Sequence, residues 1–74
     1  MDTAFGSRLR KIRGARGFTL SQLSNATGIS NQTLSAYENG NREPTLRRLD
    51  LLANALGVTI DQLAGRERLT LTVD

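Results

Sequence analysis

The sequence predicts an all-α fold, a compact bundle of five short helices followed by a C-terminal segment patterned as a β-strand. Three observations carry this reading. Apolar residues recur every three or four positions over most of the chain. Threonine, serine or aspartate stands where each helix would begin, and glycine where it would stop. A length of 74 residues, 38% of them hydrophobic, leaves room for one core.

The first helix is expected over residues 4–16, with Phe5, Leu9 and Ile12 on one face, Asp2 and Thr3 as cap candidates and Gly17 as the stop. Thr19-Leu20-Ser21-Gln22 fits a capping box, in which the threonine hydroxyl and glutamine amide satisfy backbone groups at a helix start. Leu23 and Ala26 continue the buried stripe of that second, two-turn helix, and Gly28 ends it. Ser30 caps a third helix that buries Leu34 and Tyr37 and stops at Gly40. Pro44-Thr45 gives a break followed by a cap, after which Leu46, Leu49, Leu52, Ala53 and Leu56 form the clearest stripe in the chain, up to Gly57. Thr59-Ile60-Asp61-Gln62 is a second capping box and opens a fifth helix ending at Gly65. Residues 1–65 thus read as one helical domain and residues 66–74 as a tail. In that tail Leu69, Leu71 and Val73 alternate with threonines, which predicts a strand. A lone strand cannot pair its own backbone, so its partner would be the same segment of a second copy; a frayed terminus is the competing reading.

Composition removes most chemistries. Without cysteine or histidine the chain offers no thiolate, imidazole base or zinc-binding set, and so no metal site or cofactor is expected. A domain this small rarely encloses an active-site cavity beside its core, so neither an enzyme nor a small-molecule binder is expected. Lys11, the sole lysine, sits on a basic helix away from any serine or carboxylate pocket. No apolar run suits a membrane span or signal peptide, and an intracellular, cytoplasmic location is expected.

The formal net charge of +3 is unevenly placed. Arg8, Arg10, Lys11, Arg13 and Arg16 face only Asp2 in residues 1–18; residues 19–41 carry Glu38 as their single charge; the bases and acids after that balance. A neutral, amide- and hydroxyl-rich centre between arginine-bearing flanks is the pattern of a surface that holds phosphates at its edges and reads bases in the middle. An ordinary solvated surface is the plainer alternative. The two helices joined at Gly28-Ile29-Ser30 form a helix-turn-helix. On the second of them Leu34 and Tyr37 point one way, while Gln32 and Ala36, flanked by Thr33 and Ser35, point the other. Amides and hydroxyls suit base edges in the major groove, and an alanine methyl suits that of thymine.

At this point the stretch from Phe5 to Leu63 resembles the Cro/CI-type (XRE) helix-turn-helix domain of phage repressors and bacterial regulators. The resemblance rests on Leu9-Arg10-Lys11-Ile12-Arg13, Gly17-Phe18-Thr19, Leu23, Gly28-Ile29-Ser30, Tyr37-Glu38-Asn39-Gly40, Arg42, Pro44-Thr45-Leu46 and Ala55-Leu56-Gly57-Val58. It implies a lambda-repressor-like five-helix bundle whose third helix enters the major groove. Carried over by position, it makes Asn31, Gln32, Thr33, Ser35 and Ala36 the candidates for base readout, and Thr19, Asn39, Asn41, Arg42 and Arg13 those for phosphate. Leu20 stands where the family usually has glutamine, which removes one phosphate contact; Ser24 and Leu34 also depart from its usual alanine and β-branched residue.

Glu38 lies near a helix C-terminus and near the expected DNA backbone, both of which disfavour an anion. Arg13 is its expected partner, a pairing common in the family, and an exposed surface acid is the alternative. Leu51 lies off the fourth helix's stripe, on the side of Ala55; it is either a chance exposed leucine or, with Leu69, Leu71 and Val73, a dimer or partner contact. The expected function is a sequence-specific repressor binding double-stranded DNA as a homodimer on a palindromic operator, bacterial or phage-encoded and nucleoid-associated when bound. At 74 residues no separate sensor domain is expected. The alternative, from a different class, is an antitoxin that binds a cognate toxin and represses its own operon, which the resemblance to small XRE antitoxins with a C-terminal strand suggests.

Overall fold

The structure, a computed structural model, describes residues 3–65. They form five helices and no strand: α1 (Thr3–Ala15), α2 (Leu20–Thr27), α3 (Asn31–Asn39), α4 (Leu46–Leu56) and α5 (Ile60–Ala64). The tail expected as a strand, with Leu69, Leu71 and Val73, lies outside the described residues, as does the cap candidate Asp2.

Each boundary has a local cause. Thr19, Ser30, Thr45 and Thr59 sit in extended conformation and accept, through their hydroxyls, the backbone N–H three residues on. At Thr19 and Thr59 the capping box is complete, because Gln22 and Gln62 accept the cap residue's own N–H. α2 to α5 each end on a glycine in the left-handed region, where a side chain would be strained.

The core is built from Leu9, Leu23, Leu34, Tyr37, Leu52, Leu56 and Leu63, all essentially inaccessible, with Ile29 and Ala53 beside them. Each such leucine contributes roughly 1.5–3 kcal/mol relative to exposure. α1 lies chiefly along α3, α2 packs on both α3 and α4, and α5 closes the bundle against α1 and α4. Gly6 is what lets α1 approach α3. A Cβ there would lie 2.5 Å from the backbone oxygen of Glu38 and 2.6 Å from that of Tyr37.

Two apolar positions differ from the sequence expectation. Ala26 is exposed; the inward face of α2 is instead Leu20, Leu23, Ser24 and Thr27, and Thr27 turns its hydroxyl back onto the carbonyl of Leu23. Thr27 stands four residues past Leu23 and seven past Leu20, on the face both share, whereas Ala26 falls to its edge. Leu46, expected at the head of the α4 stripe, is 69% exposed. It is the first residue of its helix and packs on none of the core residues, so the buried stripe begins one turn later at Leu49.

Candidate nucleic-acid interface

The helix-turn-helix is held from below. Leu23 of α2, Ile29 of the turn and Leu34 and Tyr37 of α3 enter the core together, so the relative setting of α2 and α3 is fixed by burial. Ile29, 3% exposed, is the turn's anchor, and sequence periodicity gave no signal for it because it belongs to neither helix. Above, Asn31 Nδ2 donates to Ser21 Oγ at 3.3 Å, tying the two helix starts together.

The outer face of α3 holds the expected reading residues. Gln32 is exposed and makes no side-chain hydrogen bond among the described residues. Asn31 is exposed but shares its amide with Ser21. Thr33 is half-buried, its hydroxyl accepting from Ser30 Oγ at 2.9 Å; Ser35 and Ala36 are also half-buried. This face carries no formal charge.

Around it lie the residues expected at phosphates. Thr19 is exposed at the start of α2, its backbone N–H and hydroxyl oxygen both committed to the capping box. Asn39, Asn41 and Arg42 are exposed after or at the end of α3. The backbone N–H groups of Asn41 and Arg42 both donate to the carbonyl of Ala36, so only their side chains face outward contacts. Arg42 and Arg47 form no ion pair among the described residues and stand exposed.

Glu38 is 7% exposed, the one buried charged residue among those described. The structure places Arg13 against it in a bidentate pair, Nε to Oε2 at 2.6 Å and the second nitrogen to Oε1 at 3.1 Å. The remaining Arg13 nitrogen donates to the carbonyl of Phe18 at 2.9 Å, which ties the end of α1 to the loop before α2. With all three guanidinium nitrogens committed and a side chain only 18% exposed, Arg13 is a structural cation, which weighs against the phosphate contact expected of it. Its hydrogen bond to Glu38 holds the guanidinium above its ordinary pKa, outweighing the opposing effect of burial, with the charge of Glu38 adding to the rise. A raised pKa on a cation stabilises the fold at all pH values below the ordinary one, and the contribution would fade only in extreme alkali.

Sequence reasoning missed the second cation. Arg10 Nε lies 3.3 Å from Glu38 Oε1, with the arginine side chain 60% exposed, and its outer nitrogen donates to Asn39 Oδ1 at 3.4 Å. Arg10 and Arg13 are three apart on α1 and therefore share a face, a signal that was present in the spacing. Arg16 donates to the carbonyl of Gly57 at the end of α4, and Arg48 donates to the buried Tyr37 hydroxyl at 3.2 Å. Of the four bases of α1, Arg10 and Arg13 are thus spent on internal acceptors, while Arg8 and the exposed Lys11 form no ion pair among the described residues. Leu51 is 39% exposed, while Ala55 on its side of α4 packs against the core. Among the described residues no cluster of His, Cys, Asp or Glu suits a metal ion, and no helix is long and apolar enough to cross a membrane.

Comparison with known proteins agrees with this geometry. Residues 9–63 match the helix-turn-helix family profile. Over 59 residues the chain is 41% identical to the SPbeta prophage-derived uncharacterized HTH-type transcriptional regulator YonR of Bacillus subtilis, covering 80% of this chain and 55% of that protein. It is 34% identical over 59 residues to the cryptic phage CTXphi transcriptional repressor RstR of Vibrio cholerae, covering 80% and 53%. The chain therefore spans about half the length of these two regulators. The crystal structure of the restriction-modification controller protein C.AhdI from Aeromonas hydrophila superposes with a TM-score of 0.77 at 32% identity, covering 80% of this chain and 89% of that one. The chain belongs to the Cro/CI-type helix-turn-helix family, whose matched members are transcriptional regulators.

Proposed function

We propose that this chain is a sequence-specific repressor that binds double-stranded DNA as a homodimer, with α3 in the major groove of each half of a palindromic operator. The observation that carries the reading is the outer face of α3: uncharged, rich in amides and hydroxyls, and mounted on a helix whose other side is locked into the core. Gln32 is the principal reader, joined by Asn31, Thr33, Ser35 and the Ala36 methyl. Thr19, Asn39, Asn41 and Arg42 hold the flanking phosphates, aided by the open amides at the start of α2. Residues 1–65 form the DNA-binding domain and the 66–74 segment supplies the subunit contact through Leu69, Leu71 and Val73. In a dimer of this kind the two α3 helices stand about 34 Å apart, one turn of DNA. The protein works in the cytoplasm, without cofactor, at the nucleoid.

Selection of bound sites from random duplexes tests this directly. A recovered inverted repeat whose half-sites are centred about one helical turn apart supports the reading; recovery of no preferred sequence refutes it.

A second reading is favoured by the exposed leucines of α4, Leu46 and Leu51, which suit a protein partner. In it the chain is an antitoxin that also represses its own operon. A toxin gene beside this one, whose product forms a complex with the chain, would establish it.

A further inference from the structure

From Arg10 to the outer face of α3 the hydrogen bonds run in a single direction. Arg10 Nε donates to Glu38 Oε1 at 3.3 Å, and its outer nitrogen donates to Asn39 Oδ1 at 3.4 Å. Asn39 Nδ2 in turn donates to Ser35 Oγ at 3.4 Å. A guanidinium has donors and no acceptor, so the Asn39 atom that faces it must be the carbonyl oxygen. That fixes the orientation of the amide, turns its NH2 toward Ser35, and fills an acceptor position on the serine hydroxyl. The Ser35 proton donates to no acceptor among the described residues, although Thr27, on the neighbouring helix, folds its own hydroxyl back onto a carbonyl. Ser35 is left with its proton and one lone pair, and the Asn39 NH2 already seated on its oxygen disfavours the approach of a second donor.

We propose that Arg10 is a specificity-determining positioning residue: through Asn39 it sets the polarity of Ser35, so that Ser35 addresses a hydrogen-bond acceptor of the DNA, such as a purine N7, guanine O6 or thymine O4. This rests on the reading that α3 enters the major groove. Arg10 performs two tasks with one forked group. Glu38, already held by both arms of Arg13, does not depend on Arg10 for its neutralisation, and the 60% exposed side chain of Arg10 is free to span from Glu38 to Asn39.

The variant that separates positioning from stability is Arg10→Lys. It keeps the net charge and a cation beside Glu38, but a single ammonium lacks the fork that reaches Glu38 and Asn39 together in this geometry. The measurement is the ratio of affinity for the selected operator to affinity for random duplex, on the full chain, for wild type, Arg10→Lys, Ser35→Ala and the double variant, with the melting temperature of each. Arg10→Lys is expected to melt like wild type and to lower the ratio about fivefold, the lower range for one base-edge contact. In the Ser35→Ala background it is expected to lower the ratio no further, because the relay then has no end. An Arg10→Lys protein with an unchanged ratio, or one whose loss is equally large without the Ser35 hydroxyl, overturns the proposal while leaving groove entry by α3 intact. If wild type prefers no duplex sequence, the functional reading itself fails, and this inference with it.

Discussion

Replacing Gly6 by alanine tests how tightly α1 and α3 are set. A Cβ at this position would lie 2.5 Å from the Glu38 carbonyl oxygen, 2.6 Å from that of Tyr37 and 2.8 Å from the Glu38 carbonyl carbon. All three are backbone atoms of α3 and cannot rotate away. Relief needs the two helices to separate by roughly 0.5–1 Å, which loosens Leu9 against Leu34 and Tyr37 in a close-packed core. Overpacking of this kind costs about 1–3 kcal/mol, and the intrinsic preference of a helix interior for alanine returns about 1. The contrast is Gly14, on the same helix, where a Cβ meets nothing within 4 Å. Gly14→Ala should therefore gain up to about 1 kcal/mol. In thermal unfolding followed by far-ultraviolet circular dichroism, Gly6→Ala is expected to lower the midpoint and Gly14→Ala to raise it, by about 4–8 °C per kcal/mol in a domain of this size. The net loss is up to about 2 kcal/mol, and a Gly6→Ala midpoint as high as that of Gly14→Ala would refute the close approach.

Arg13→Ala leaves Glu38 buried beside one exposed arginine and should cost about 3–5 kcal/mol, whereas Lys11→Ala, at an exposed position, should stay within about 0.5 kcal/mol; urea titrations of the two compare them, and similar midpoints would remove the structural role of the pair. Gln32→Ala should weaken the selected operator by about 1–3 kcal/mol and random duplex hardly at all, measured by fluorescence anisotropy; equal losses on both would deny Gln32 a reading role. Arg42→Ala should weaken both kinds of DNA alike and reduce the slope of log affinity against log salt by about one, and an unchanged slope would exclude a phosphate contact. A chain ending at Gly65 should sediment as a monomer and lose most operator affinity; undiminished dimerisation would dismiss the tail as the subunit contact.

The helix boundaries were legible in the sequence because their causes are local. A threonine that caps its own helix and a glycine that ends it act within four residues, and the two capping boxes at Thr19 and Thr59 could be named from spacing alone. The failures share a different cause. Ala26 and Leu46 are apolar residues near helix edges, and whether a neighbour covers them is decided by the angle at which helices meet, which no single-helix pattern contains. Gly6 reads as a mild helix defect until α3 is placed across it. The need for a cation near Glu38 was deducible from its charge and position, and that Arg10 shares the face of Arg13 was in the spacing; that its side chain reaches Glu38 depends on how α1 lies on α3. The residue types on the outer face of α3 were legible from helical spacing, whereas the direction of the hydrogen bonds running through Asn39 and Ser35 was not.

The self-contained caps also bear on how the protein comes into being. Because each of the last four helices begins and ends through bonds made within its own few residues, and the connections between helices are short, little chain entropy has to be spent before local structure is rewarded. Small helical domains with such low contact order reach the native state in microseconds to milliseconds. A newly synthesised chain would therefore have α3 and its outer face in place long before it could diffuse to any partner, and the delay between translation and activity would be set by encounter rather than by folding.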